Sequence, residues 1–94
     1  MSESNSFKEI SFQVHVPGWD GLDVFDDNCH FVLGRAVEMA AKDRLSCWVL
    51  SPVDKCRDFG IPSKEFPGRR LLARVKFGAE GRALVELVQP QEAS

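Results

Sequence analysis

The last third of the chain constrains the fold most, because it contains two β-prone runs joined by a short segment with a glycine at each end. In the first run, 70–77, every second residue is apolar and the residues between are basic apart from one leucine; the second run spans 82–89. A three-residue hairpin loop favours glycine at its third position, which predicts a loop at 79–81. The two runs are therefore predicted to form an antiparallel hairpin.

This loop fixes which residues of the two predicted strands face each other. It sets Val75 opposite Val85 on one face and Arg74 opposite Glu86 on the other. A loop one residue shorter or longer would shift the pairing and place Glu86 against Ala73 in the core, where an unpaired carboxylate is costly. We expect the Val75 face to pack on a helix and the Arg74 face to point away from it.

One amphipathic helix is predicted over 27–43. Apolar residues recur there at three- and four-residue intervals, at Cys29, Val32, Leu33, Ala36, Val37 and Ala40. Asp26 and Asp27 are expected to cap the helix, since carboxylates accept from the unpaired N–H groups of its first turn. Gly34 costs about 1 kcal/mol relative to alanine within a helix, and we expect a close approach to the sheet to compensate.

The remaining segments complete a small α+β domain. Strict alternation predicts a half-buried strand over 8–16, and the apolar run at 46–51 is typical of an interior strand. The segment 53–68 contains two prolines and two glycines, and is interpreted as a long loop, while 1–7 and 90–94 are predicted to be frayed tails.

Residues 1–94 are thus predicted to be one α+β domain of order β-α-β-β-β, with one helix packed on a four-stranded, mainly antiparallel sheet. With 94 residues, 44% of them apolar and a net charge of −2, the chain suits one core and a solvated surface. It contains no apolar run long enough to span a bilayer, its first residues lack the basic and apolar regions expected of a secretory leader, and its three cysteines include no C-x-x-C pair. We therefore expect a cytoplasmic protein with reduced thiols.

The sequence favours neither catalysis nor a cofactor. Cys29 precedes His30 near the start of the predicted helix, but Cys29 begins the apolar stripe and His30 points about 100° away from it. The histidines and cysteines lack the paired spacing of zinc ligands, the aspartates lack the order of a calcium loop, and no glycine-rich phosphate-binding motif is present. We predict no enzyme activity, no metal and no cofactor.

Binding to another protein is the favoured function. Leu72, Leu84 and Val88 are expected on the outer sheet face beside Arg74, giving the apolar centre and charged rim of a protein contact. The same face offers a homodimer contact. Equally weighted is the alternative that the segment 53–68 folds over these residues within the monomer.

An acidic segment supplies a second predicted contact, for a partner with a basic surface. It comprises Trp19, Asp20, Asp23, Asp26 and Asp27. An aromatic side chain among carboxylates can anchor a basic partner, and the charges accelerate encounter. The alternative for Trp19 is a lid over one edge of the core. Together these surfaces predict a small regulatory adaptor, or an inhibitor of a larger macromolecular machine.

The alternative function is nucleic-acid binding through a basic row, which comprises Arg69, Arg70, Arg74, Lys76 and Arg82. Such a row can neutralise phosphates. The chain is net acidic, however, and the neighbouring outward residues are aliphatic where a stacking platform would have aromatic rings. We therefore rank this function second.

Overall fold

An antiparallel sheet carries one long helix on one face. The computed structural model describes residues 3–19 and 21–90, and within them the chain forms two α-helices, six strands and one 3-10 turn at 79–81. In chain order the α-helices and strands are α1 (Glu3–Ile10), β1 (Phe12–His15), β2 (Val24–Asp26), α2 (Cys29–Asp43), β3 (Cys47–Leu50), β4 (Ile61–Pro62), β5 (Arg70–Phe77) and β6 (Ala83–Leu87). The predicted α+β class is confirmed, with six strands in place of four. Strands β2 and β4 are three and two residues long, too short to show a period in the sequence.

The strand order is β2-β1-β3-β5, and every pairing is antiparallel. Leu71 of β5 pairs with Leu50 of β3 and with Ile61 of β4, so these two strands lie on opposite edges of β5. Strand β6 pairs with the later part of β5, again on the edge opposite β3. The short β4 and the longer β6 therefore share one edge of β5, and β6 ends the sheet there.

The predicted register of the hairpin is confirmed. Val75 pairs with Val85 and Arg74 pairs with Glu86. The turn at 79–81 ends on Gly81 with φ 73°, in the left-handed region that favours glycine, and Glu80 shares that region with φ 61°.

The core lies between α2 and the sheet. Its buried residues are Val14, Val16, Val32, Ala36, Met39, Ala40, Cys47, Val49, Ala73 and Val75. The helical members recur at intervals of three and four, whereas the strand members alternate, so each element contributes one face. Helix α2 is close to the predicted 27–43.

The ends and middle of α2 differ from expectation. Asn28 is the N-cap, accepting from the backbone N–H of His30 at 2.9 Å, whereas Asp26 lies in β2 and accepts from the N–H of Asn28 at 2.8 Å. The predicted capping by Asp26 and Asp27 is therefore wrong. Gly34 is exposed, and a Cβ there would meet nothing within 4 Å, so the expected approach to the sheet is also wrong.

The N-terminal segment differs most from expectation. The predicted strand over 8–16 is shortened to Phe12–His15, and the predicted tail at 1–7 overlaps helix Glu3–Ile10. Ile10 is exposed, so it does not extend the alternating core face. The helix is held at its end by buried Ser11, whose hydroxyl donates to the carbonyl of Phe7. Residues 91–94 of the predicted C-terminal tail lie outside the described residues.

A β-bulge interrupts β5. Val49 pairs with Ala73 and the next residue, Leu50, pairs with Leu71, so Leu72 is an extra residue opposite β3. Nearby, a Cβ on Gly60 would lie 2.0 Å from the carbonyl oxygen of Leu71, and Gly60 has φ 65°. Only glycine fits this approach of the segment 53–68 to the sheet. In the described part of the chain, no helix is long and apolar enough to cross a membrane.

Candidate protein-binding site

Strand β6 exposes apolar side chains on both faces of the sheet. Leu84, on the face away from α2, is 61% exposed. Val85 and Leu87 share the α2 side with buried Val75 and Ala73, yet they are 44% and 66% exposed. Ala83 is the β6 residue that packs against the core. The helix thus covers the beginning of β6 and leaves the rest open.

The outer edge of β6 also carries unpaired backbone groups. Gly78 N donates to the carbonyl of Arg82 at 2.6 Å, and Val88 N donates to the carbonyl of Leu72 at 2.9 Å. Hydrogen-bonding direction alternates along an antiparallel strand, so the even-numbered residues of β6 face β5 and residues 83, 85 and 87 face outward. Among the described residues, β6 pairs only with β5. This leaves three N–H and three C=O groups directed away from the sheet.

Charged residues flank Leu84 on the outer face. Arg82 lies two positions before it and Glu86 two positions after it, and both are exposed. Across the hairpin, Lys76 lies opposite Leu84 and Arg74 lies opposite Glu86. In the described part of the chain, neither Arg82 nor Glu86 has an ion-pair partner within 4 Å. The surface has the apolar centre and charged rim typical of protein contacts.

Leu72 and Val88 lie in a different place from Leu84. They line an apolar groove of about 310 Å³ together with Phe12, Cys29 and Phe59. The expectation that they share the outer face with Leu84 is wrong, because the bulge at Leu72 breaks the alternation on which it depended. Phe59 belongs to the segment 53–68, so that segment flanks Leu72 and Val88 while Leu84 remains open.

The acidic segment is partly committed to contacts within the chain. The Asp23 carboxylate accepts from the side-chain amide of Gln13 and lies 3.1 Å from Nδ1 of His15. Trp19 is 47% exposed and its ring packs over Gly21. Asp26 accepts from the backbone as described above and Asp27 is exposed, while the predicted contact at Asp20 lies outside the described residues. These carboxylates therefore do not form one free acidic surface.

The polar cluster around His15 was not predicted. The centre of the His15 ring lies 4.8 Å from the centre of the Phe66 ring in an edge-to-face arrangement, and 5.8 Å from the centre of the Trp48 ring. The sequence shows Gln13 and His15 on one face of β1, but nothing in it indicates that Asp23 returns to them. Phe66 belongs to the segment 53–68, so its ring contact with His15 packs that segment against the sheet.

Two of the five predicted nucleic-acid contacts are used within the chain. Arg69 is 7% exposed, and its guanidinium donates to the carbonyls of Ser11 at 2.7 Å, of Ser51 at 2.9 Å and of Lys8. Arg70 donates to the carbonyls of Phe59 and Gly60. Arg74, Lys76 and Arg82 remain as a shorter basic group on the outer face.

Two of the three cysteines have a raised thiol pKa. Cys29 begins α2, yet burial raises the pKa of its thiol, and the neighbouring Cys56 raises this pKa further. Burial likewise raises the pKa of Cys47. The described residues contain no group of three or more histidine, cysteine or acidic side chains placed to hold a metal ion.

Comparison of the chain with protein-family models, with curated proteins and with solved structures finds no match. The geometry of β6 is therefore the basis for any assignment of function.

Proposed function

We propose that the protein is a non-catalytic protein-binding module that pairs strand β6 with an extended strand of another chain. The observation that carries this proposal is the unpaired edge of β6 beside exposed Leu84, Val85 and Leu87. Proteins usually protect such edges with prolines, bulges or several charges, whereas 83–87 contains only Glu86 among these features. Strand addition gains affinity from backbone hydrogen bonds and specificity from alternating side chains.

We infer a regulatory role, as an adaptor or an inhibitor of a larger assembly, in the cytoplasm. A small domain that offers one exposed strand edge can bind one partner strand there, and this is a typical property of a regulatory subunit. Its three cysteines are free, which fits a reducing compartment. Half-exposed Trp19 and exposed Asp27, both in the acidic segment, offer a second contact for a basic partner.

Nucleic-acid binding is the weaker alternative. Two of the five basic residues predicted to contact phosphates, Arg69 and Arg70, donate instead to carbonyls within the chain. Affinity for phosphates depends on the number of neutralised charges, so this affinity should be reduced. Titration of labelled RNA and DNA at two salt concentrations tests it directly. Binding that falls steeply with salt and is abolished by Arg74→Ala combined with Arg82→Ala would favour this alternative over strand addition.

The strand-addition proposal is tested by removing one outward N–H. Val85→Pro deletes the N–H that points to solvent, and proline is tolerated on edge strands in that position. Val85→Thr is the matched control, because it keeps both the N–H and a β-branched side chain. With each variant as bait in an extract of the native cell, partners captured by wild type should be lost with Val85→Pro and retained with Val85→Thr.

Hydrogen exchange on the purified complex provides the structural readout. The amides of 83, 85 and 87 should be protected on binding, while those of the even-numbered residues are already protected by β5. Equal capture by both variants, with no change in exchange at the outward amides, would contradict the proposal.

A further inference from the structure

We propose that the strand pairing with β6 is β6 of a second copy of this chain, in an antiparallel arrangement whose two-fold axis passes beside Leu84. This inference rests on the proposed function and names its partner. It would extend the sheet across the two subunits, with the α2 helices on the same face.

The backbone limits the possible registers. Outward groups on β6 belong to residues 83, 85 and 87, so a ladder between two copies forms only when odd-numbered residues face odd-numbered residues. In an antiparallel pair of identical strands, the two residue numbers of every facing pair have the same sum, and this sum is even when odd-numbered residues face odd-numbered residues. The two-fold axis therefore passes beside the residue whose number is half that sum, and not between two residues.

Charge selects among these registers. With the axis at Leu84, Arg82 faces the partner subunit's Glu86, and symmetry repeats this opposite-charge pair. With the axis at Val85, Glu86 faces an apolar leucine. With the axis at Glu86, two carboxylates face each other, and like charges directly opposite are destabilising. With the axis at Ala83 or Leu87, fewer β6 residues of the two copies would face each other.

Cross-strand geometry supports the same register. With the axis at Leu84, this residue faces the partner subunit's Leu84, and Arg82 and Glu86 form two further facing pairs. All three pairs occupy non-hydrogen-bonded positions, where Cα atoms approach to about 4.5 Å and side chains are closest. The leucine side chain of each copy then packs against the other at the centre, between the two charge pairs. On the α2 side, Ala83 faces the partner subunit's Val85, which covers a side chain that is 44% exposed in the monomer.

The residues needed are free to make these contacts. Arg82 and Glu86 are exposed, and in the described part of the chain each lacks an ion-pair partner. The proposed contact joins two strands of five residues each, which makes it a small interface. Contacts that bury less than about 1,200 Å² are commonly weak, so we expect a concentration-dependent dimer.

Charge reversal in single and paired variants tests the register. Sedimentation velocity over a wide range of concentration should show a dimer for wild type. Arg82→Glu alone and Glu86→Arg alone should each raise the dimer dissociation constant by about tenfold or more, because each places like charges opposite one another twice. Both residues are exposed, so unchanged circular dichroism and melting temperature serve as the folding control.

Mixing provides the decisive measurement. Arg82→Glu mixed with Glu86→Arg restores both opposite-charge pairs in a heterodimer, and the double variant carrying both changes restores them in a homodimer. Both samples should recover dimerisation. Single variants that dimerise like wild type, or a mixture that stays monomeric, would overturn this register.

The test also separates this inference from the proposed function. A wild type that stays monomeric at every concentration, with partner capture still sensitive to Val85→Pro, would refute self-pairing and leave strand addition intact. A dimer unaffected by Val85→Pro and by both charge reversals would refute self-pairing, and partner capture that is also unaffected by Val85→Pro would refute strand addition as well.

Discussion

Arg69→Met removes the guanidinium that joins three separate parts of the chain. In the folded protein this buried cation donates to carbonyls at the end of α1, at Ser11 and at Ser51. It also lies 5.6 Å from the centre of the Phe25 ring. Methionine has similar length and apolar character, so it fills the space while leaving these carbonyls without their donor.

The expected cost follows from these contacts. Hydrogen bonds to a charged group contribute about 1.5–3 kcal/mol each, so three of them contribute about 4.5–9 kcal/mol. Burying the cation costs several kcal/mol in return, and this desolvation also lowers the pKa of Arg69. The net loss should be about 3–5 kcal/mol. A domain of this size has a free energy of unfolding of about 5–14 kcal/mol, so the variant would be close to marginal.

Urea unfolding followed by tryptophan fluorescence measures this loss, and hydrogen exchange locates it. We expect the amides of α1 and of Ser11 to lose protection before those of β3 and β5. Arg57→Met is the matched control, because that arginine is exposed and lies outside the proposed dimer contact, so its replacement should change stability by less than about 0.5 kcal/mol. A loss below about 1 kcal/mol for Arg69→Met, or an α1 that keeps its protection, would refute the role given to the guanidinium.

Two further predictions follow from α2. Gly34→Ala should raise the free energy of unfolding by about 0.5–1 kcal/mol, since the helix position is exposed and open, and a decrease in urea unfolding would contradict this. The raised pKa of Cys29 should make its alkylation by iodoacetamide slower at neutral pH than that of free cysteine, with the rate rising only above the ordinary thiol pKa. Peptide-resolved mass spectrometry measures that rate, and alkylation faster than the free amino acid would show an activated thiol.

The sequence was sufficient where one element could be recognised from its own residues. The hairpin register followed from Gly81 and from the cost of burying Glu86, both local features, and the main helix followed from its apolar spacing. These are the parts of the fold whose patterns extend over many residues, and they positioned β6 and the outward direction of Leu84 correctly.

The sequence was insufficient where distant residues decide the local structure. Residues 8–10 continue the alternation of β1, yet they form the end of a helix fixed by Arg69, a residue about 60 positions away. Asp23 has no local signature of its contact with His15. The exposed edge of β6 was also missed, because a strand's sequence does not show whether a neighbouring strand exists on each side.

The bulge at Leu72 has a consequence for how the gene can change. On the β3 side, this residue is surplus to the pairing, so the residues before and after it keep their partners without it. We therefore expect related sequences to differ in length by one residue at this position, at the cost of the hydrogen bond that the Leu72 carbonyl accepts from the backbone N–H of Val88. Orthologues that vary in length elsewhere in β5 but never here would argue that the irregularity itself is under selection.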